Sequence, residues 1–296
     1  MFCSFRFTSD RLKESRVGKT ITSEVTDGGY FSPYVVCVST FPECLKTWRK
    51  ARRCSQLDLV MEANVSFRHI SFLETVRARP GPEMILRLGD ALDLPLAARN
   101  QMLTQAGFAA RYPARKWEAE DMALIREATA HTLAGHAPYP AIALDRVWTL
   151  LQMNGPAKML FAPLNVSTGD SMLDLITADA LPPLVENWPE VAHHSAQRLR
   201  TESAAQGGVE ALDNAAAYLF EVPPPDTPVI GPVVPTIYRM GPLRLSMFTT
   251  IAQFGTPEDL TLDDMKIELF FPADADTAET LRALWSASSS ESAATQ

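Results

Sequence analysis

Ser55-Gln56-Leu57-Asp58, then Ala63-Asn64-Val65-Ser66-Phe67-Arg68-His69-Ile70-Ser71-Phe72-Leu73-Glu74-Thr75, is the stretch on which the reading of this chain turns. Ser55 is placed to cap a helix, and Asp58 three residues on makes a near capping-box pair. Leu57, Leu59, Val60 and Ala63 outline one buried face of that helix. Asn64 falls where a tight left-handed turn would sit, a conformation Asn tolerates better than most residues. Ser66 caps the next helix, which runs to about Thr75 with Ile70 and Leu73 inward.

Working outward, residues 45–53 form a short basic helix anchored by Trp48. Arg77-Ala78-Arg79-Pro80-Gly81-Pro82 breaks the chain, and further helices are expected over 83–92 and 96–106. Five short helices, with a four-residue turn between the second and third, have helix-turn-helix anatomy. Residues 1–43 carry Gly28-Gly29 and Ser/Thr-rich stretches with no persistent period, and read either as a disordered arm or as upstream sequence included by a misplaced start.

A hinge containing Pro113 leads into a helix over 119–133. Short apolar strands follow at 141–144 and 147–152, separated by Asp145-Arg146. Helices are expected at 155–161, 172–176, 188–204 and 209–220. The proline-rich 222–235 must be a loop, since proline can neither continue a helix nor sit in a central strand. Strands at 236–240, 243–254 and 265–270 and a helix at 277–284 close the pattern, and the Ser/Ala tail from Ser286 is expected to lack order. Two strands, several helices and three more strands describe one mixed α+β sheet. The organisation is therefore multi-domain: an all-α helix-turn-helix domain at 44–112, an α+β domain at 113–286 and a tail at 287–296.

Charge is divided along the same lines. Residues 45–117 carry 13 Lys and Arg against 6 Asp and Glu, a net +7, whereas residues 118–296 carry 9 against 24, a net −15. The whole-chain charge of −8 conceals this division. A basic block joined to an acidic one suggests a polyanion-binding module attached to a domain with another task. Cys3, Cys37, Cys44 and Cys54 form no C-x-x-C, so neither a disulfide framework nor a zinc site is expected. No apolar run approaches the ~20 residues of a membrane span, and no secretory signal is legible; the expectation is a soluble, cytoplasmic protein without membrane contact.

The quoted stretch resembles the Xre-type, lambda-Cro-like helix-turn-helix family over residues 45–107, through its S-Q-x-x-L start and its I-S-x-L-E third helix. In such units the third helix enters the major groove of DNA. The resemblance implies that Gln56 reaches a phosphate or outer base and that Phe67, Arg68 and Phe72 face the groove, with Ser66, His69 and Ser71 next in reach. Arg68 is the candidate reader of guanine, since a guanidinium pairs bidentately with O6 and N7. Arg49, Lys50, Arg52, Arg53, Arg77 and Arg79 are phosphate candidates. One position departs from the family pattern: Val76 stands where glycine commonly follows the third helix, so a remodelled exit turn is expected.

The second half resembles the MmyB-like ligand-binding domain, a PAS-like fold. The matching segments are Tyr139-Pro140-Ala141-Ile142-Ala143-Leu144-Asp145-Arg146-Val147-Trp148, the run from Leu184 to Ala192 holding Asn187-Trp188-Pro189, the run from Leu243 to Asp259 holding Phe248 and Phe254, and Glu268 to Asp274. The resemblance implies a sensor for a small apolar molecule such as a fatty acid, and a homodimer. Trp148, Met153, Trp188, Phe248, Ile251 and Phe254 are candidate lining residues, with Asn187 and Arg244 for a polar head group.

No G-x-G-x-x-G, P-loop, G-x-S-x-G or H-E-x-x-H is present, and His193-His194 diverge on a helix; no catalytic residue, metal or cofactor is assigned. The expectation is a transcriptional regulator binding a double-stranded DNA operator as a dimer under control of an apolar ligand. Two other readings stay open: a C-terminal domain that only dimerises or docks a partner, and a haem- or metal-dependent enzyme fused to a DNA-binding unit.

Overall fold

The computed structural model describes residues 40–225, 232–255 and 257–294. Five helices come first: α1 (Phe41–Ala51), α2 (Gln56–Glu62), α3 (Phe67–Glu74), α4 (Pro82–Ala91) and α5 (Leu96–Gln105). α1 starts at Phe41, ahead of the expected Leu45, because Phe41, Cys44, Leu45 and Trp48 repeat at helical spacing and all are buried. Of the segment 1–43, residues 1–39 lie outside the described residues, and the last three residues belong to α1.

The capping box at α2 is complete. Ser55 Oγ accepts from the Asp58 N–H at 3.1 Å, and the Asp58 carboxylate accepts from the Ser55 N–H at 2.8 Å. Ser66 Oγ caps α3 through the His69 N–H at 3.2 Å. All five helices end alike: Arg53, Asn64, Val76, Asp93 and Gly107 follow them in left-handed conformation, with φ from 47° to 87°. The next N–H then reaches back to a carbonyl of the last turn, as from Cys54 to Arg49 at 3.0 Å and from Leu94 to Gly89 at 2.9 Å. The exit turn after α3 is thus not remodelled. Val76 adopts φ 63°, and the Arg77 N–H bonds to the Phe72 carbonyl at 2.8 Å. A β-branched residue there is strained by ~1–2 kcal/mol, and its exposed side chain gains no packing in return.

A turn of 3-10 helix at Glu120–Met122 leads into α6 (Ala123–Gly135), then β1 (Ala141–Leu144) and β2 (Leu150–Met153). The second strand starts later than expected because the Asp145 carboxylate accepts from the N–H groups of Val147 and Thr149, at 2.9 and 2.7 Å, extending the turn to Trp148. Next come α7 (Gly155–Phe161), α8 (Met172–Ile176), α9 (Trp188–Ala205) and α10 (Glu210–Phe220), then β3 (Thr236–Met240), β4 (Leu243–Ala252), α11 (Leu260–Asp263), β5 (Lys266–Pro272) and α12 (Ala275–Ala294). Between α9 and α10, Gly207 and Gly208 both take positive φ, a conformation that favours glycine.

The five strands form one antiparallel sheet in the order β2-β1-β5-β4-β3. Alternation along β1 sends Ile142 and Leu144 into a core shared with α9 and α10, and Ala141 and Ala143 into a second core shared with α6. Buried Asn154 ties these layers together. It caps α7 at the Ala157 N–H, accepts from Ala141 N–H, and donates to the Leu133 and Tyr139 carbonyls, all within 3.0 Å.

α12 continues through the Ser/Ala segment to Ala294, correcting the expected loss of order after Ser286. Alanine favours helix, and the Ser286 and Ser290 hydroxyls bond to carbonyls of the preceding turn at 2.9 Å. The Trp285 ring lies against Gly155, where an added Cβ would stand only 2.4 Å from it.

Candidate functional site

A cavity of about 400 Å³ lies between the sheet and α9. Its walls are mainly apolar, from Ile142, Phe161, Met172, Leu181 and Phe270, and its polar groups include Arg198, Glu268, Tyr238 and His194. Trp148, held at φ 64°, forms part of the wall and donates its indole N–H to Glu202 at 2.8 Å. The Arg198 guanidinium and the Lys266 ammonium lie over its ring at 4.7 and 4.3 Å from the centroid.

These side chains close a network of two cations and two anions. Arg198 pairs with Glu202 at 2.8 Å and with Glu268, and Glu202 also pairs with Lys266. Burial pushes the Glu202 carboxyl up, but the charges of Arg198 and Lys266 outweigh it and hold the group below its ordinary range. Burial likewise lowers Arg198, and the facing Glu268 and Glu202 more than compensate. For Lys266 burial wins, and its pKa falls despite Glu202. Burial and the Glu268 charge push the Tyr238 phenol up to about 12, keeping it a hydrogen-bond donor.

Of the eight residues expected at a ligand site, Trp148 and Phe248 border this cavity. Asn187 is instead a structural staple, donating to the Pro235 carbonyl at 2.8 Å and accepting from the Ile237 N–H at 3.0 Å. Arg244 joins Arg239 on the exposed Glu186, whose pKa these hydrogen bonds lower. Trp188 borders a depression with Tyr218 and Val222, and Phe254 packs in the α6-side core. Met153 faces another depression of about 400 Å³, bounded by Trp285 and Gly155, where Lys158 is the charged residue. Ile251 is exposed.

Arg198, Glu202, Lys266 and Glu268 carried one legible signal. Lys266 and Glu268 alternate within an otherwise apolar strand, which places two charges on one inward face. Among the described residues no cluster of His, Cys, Asp or Glu could hold a metal ion.

On the helical module, α3 presents Phe67 and Arg68 outward, with Arg68 over the Phe72 ring at 5.0 Å. Ser71 and His69 are half-buried, and Arg53, Arg77 and Arg79 are exposed. Arg49 and Gln56 are engaged internally. Arg49 forks onto Glu74 at 2.6 and 3.0 Å, and the Gln56 amide donates to the same carboxylate at 2.7 Å. Burial raises the pKa of Glu74, but these donors and the Arg49 charge bring it below the ordinary value. Arg52 caps α4, donating to the Leu92 and Asp93 carbonyls at 3.1 and 2.7 Å.

The two regions meet at α11. Asp263 accepts from the Leu96 N–H at the start of α5 at 2.9 Å, and buried Asp259 receives the Arg115 guanidinium at 2.9 Å. The Leu260 N–H bonds to the Pro113 carbonyl at 2.8 Å. Asn100 on α5 holds the other end of this linker, binding the Arg111 and Tyr112 N–H groups and the Tyr112 carbonyl within 3.0 Å.

Residues 125–225 match the family model of the MmyB-like transcription regulator ligand binding domain. The matched span opens in α6 and closes after α10, so it includes Trp148, Arg198 and Glu202 but not β3–β5 or the helical module. No curated protein matches the chain. That family is described as the ligand-binding part of a transcription regulator. Among the described residues no helix is long and apolar enough to cross a membrane.

Proposed function

We propose that the chain is a sequence-specific DNA-binding regulator whose C-terminal domain senses a small apolar molecule of fatty-acid-like shape. The observation that carries this reading is the mainly apolar cavity, open to solvent on one side, whose α9 wall lies within the span that matches a regulator's ligand-binding family. The antiparallel sheet with helices packed on it supports a PAS-like sensor over 113–286.

In this reading residues 44–112 bind DNA. α3 lies in the major groove, Arg68 reads a base, and Phe67 or Phe72 meets a thymine methyl. Arg53, Arg77 and Arg79 serve phosphates, while Arg49 and Gln56 act by holding α1 and α2 against α3 through Glu74. The protein works as a homodimer on a roughly palindromic operator. Ligand binding reaches the helical module through β5, because Lys266 and Glu268 follow directly on the α11 residues that hold α5 and the linker. A ligand shifts this balance only if it binds the two conformations unequally.

The test is fluorescence anisotropy of the purified protein on DNA from upstream of its own gene across a salt series. Binding that beats random DNA and weakens steeply with salt is expected. Arg68→Ala is expected to cost about 1–3 kcal/mol on the preferred site and little on random DNA. Equal weakening on both would remove Arg68 as a reader, and no preference at any salt, with or without ligand, would overturn the reading.

A further inference from the structure

The charges at the cavity are already paired. Arg198 and Lys266 face Glu202 and Glu268 in one connected network, so the buried group is neutral as it stands. Glu268 is 5% exposed and Lys266 4%. A ligand carboxylate reaching Arg198 would add a third anion to two cations in a setting where an uncompensated charge is expensive. It would also be an acceptor only, and would face the Glu268 oxygens without a proton to offer them.

A hydroxyl or carboxamide meets the same surroundings differently. Its N–H or O–H can donate to Glu268, and its oxygen can accept from the Tyr238 hydroxyl or from Arg198, whose five N–H donors exceed the two directed at Glu202 and Glu268. His194 and Ser195 are the remaining polar side chains of α9 at the cavity, and His194 is exposed. The size of the space sets the body of the molecule. At protein packing density, about 400 Å³ holds roughly 300 Å³ of atoms, or about 15 non-hydrogen atoms.

We infer that the cavity selects an apolar molecule of medium chain length whose end group is uncharged and both donates and accepts a hydrogen bond, such as a medium-chain alcohol or amide, and that it discriminates against the free carboxylate. The inference rests on the cavity being the ligand site, and it narrows the fatty-acid-like ligand to its neutral relatives.

Isothermal titration calorimetry of the full chain with 1-decanol, methyl decanoate and decanoate, each below its aggregation concentration at neutral pH, tests it. The expected order is decanol tightest, the ester next, and decanoate at least tenfold weaker than decanol. Glu268→Gln leaves two cations against one anion, and is expected to shift the decanoate-to-decanol preference toward the acid by tenfold or more. Decanoate binding the unaltered protein as tightly as decanol would overturn the charge argument and leave the cavity as the ligand site. No heat and no thermal shift with any of the three would overturn both. If Glu268→Gln does not fold, the order measured on the unaltered protein still decides.

Discussion

The helical module and the sheet domain handle buried charge differently. In the module, one carboxylate, Glu74, gathers Arg49 and Gln56, and many of the other cations point outward. In the sheet domain, Arg198, Glu202, Lys266 and Glu268 are drawn from α9 and β5 and close around Trp148 beside a cavity. The outward cations of the first region remain available to an external polyanion, whereas the four charges beside the cavity of the second neutralise one another. A surface that attracts by long-range field needs exposed, unbalanced charge, and an interior site needs its charges paired before any ligand arrives.

The largest expected effect breaks the internal network. Glu202→Ala leaves Lys266 buried without the anion it pairs with, and is expected to destabilise the sheet domain by about 3–5 kcal/mol. Urea denaturation, with hydrogen exchange resolved by region, checks both the size and the location. A loss below ~1 kcal/mol would mean that the network relaxes into water.

The next test uses pH. Burial raises the Asp264 carboxyl to about 6, with the Arg146 guanidinium opposing. The folded state therefore holds the extra proton between the ordinary 3.8 and about 6. The stability from this group is complete below that window and is lost as pH rises through its upper end. Asp264→Asn is expected to gain roughly 1–3 kcal/mol at pH 7 and to flatten that part of the pH profile; a profile unchanged by the substitution would place the group in water.

Two smaller effects sharpen the contrast from the helical side, at sites that act through local backbone geometry. Ser55→Ala removes half of the capping box and is expected to cost about 1 kcal/mol. Val76→Gly relieves the left-handed strain at φ 63°, and is expected to gain ~0.5–1 kcal/mol after the added freedom of the unfolded chain is subtracted. A loss of melting temperature in Val76→Gly would show that this exposed side chain packs against something in solution.

Local chemistry made most elements readable in advance. Ser55 with Asp58, Asn64, Ser66 and the short apolar run 141–144 act on atoms a few residues away, so their spacing along the chain already marks helix ends and strands. The family resemblance to the MmyB-like ligand-binding domain likewise holds over residues 125–225. Where the local signal was weak the boundary moved. Phe41 joined α1 because it buries, and α12 ran on because no proline or glycine stops it.

The cavity was less legible, because aromatic residues in a linear chain carry no label separating wall from core. Trp188 and Phe254 look as suitable as Trp148 until the packing sends them to other surfaces. Asn187 and Arg244 likewise look like head-group ligands until a carbonyl and Glu186 claim them. The residues that hold the site together are far apart in sequence, as Trp148 is from Glu202 and Arg198 from Glu268. Sequence alone settled what depends on neighbours within a turn or a strand: the caps, the strand order along the chain and the basic and acidic halves. Which charges neutralise one another beside the cavity depended on folding, because electrostatic pairing follows distance in space and burial rather than position in the chain.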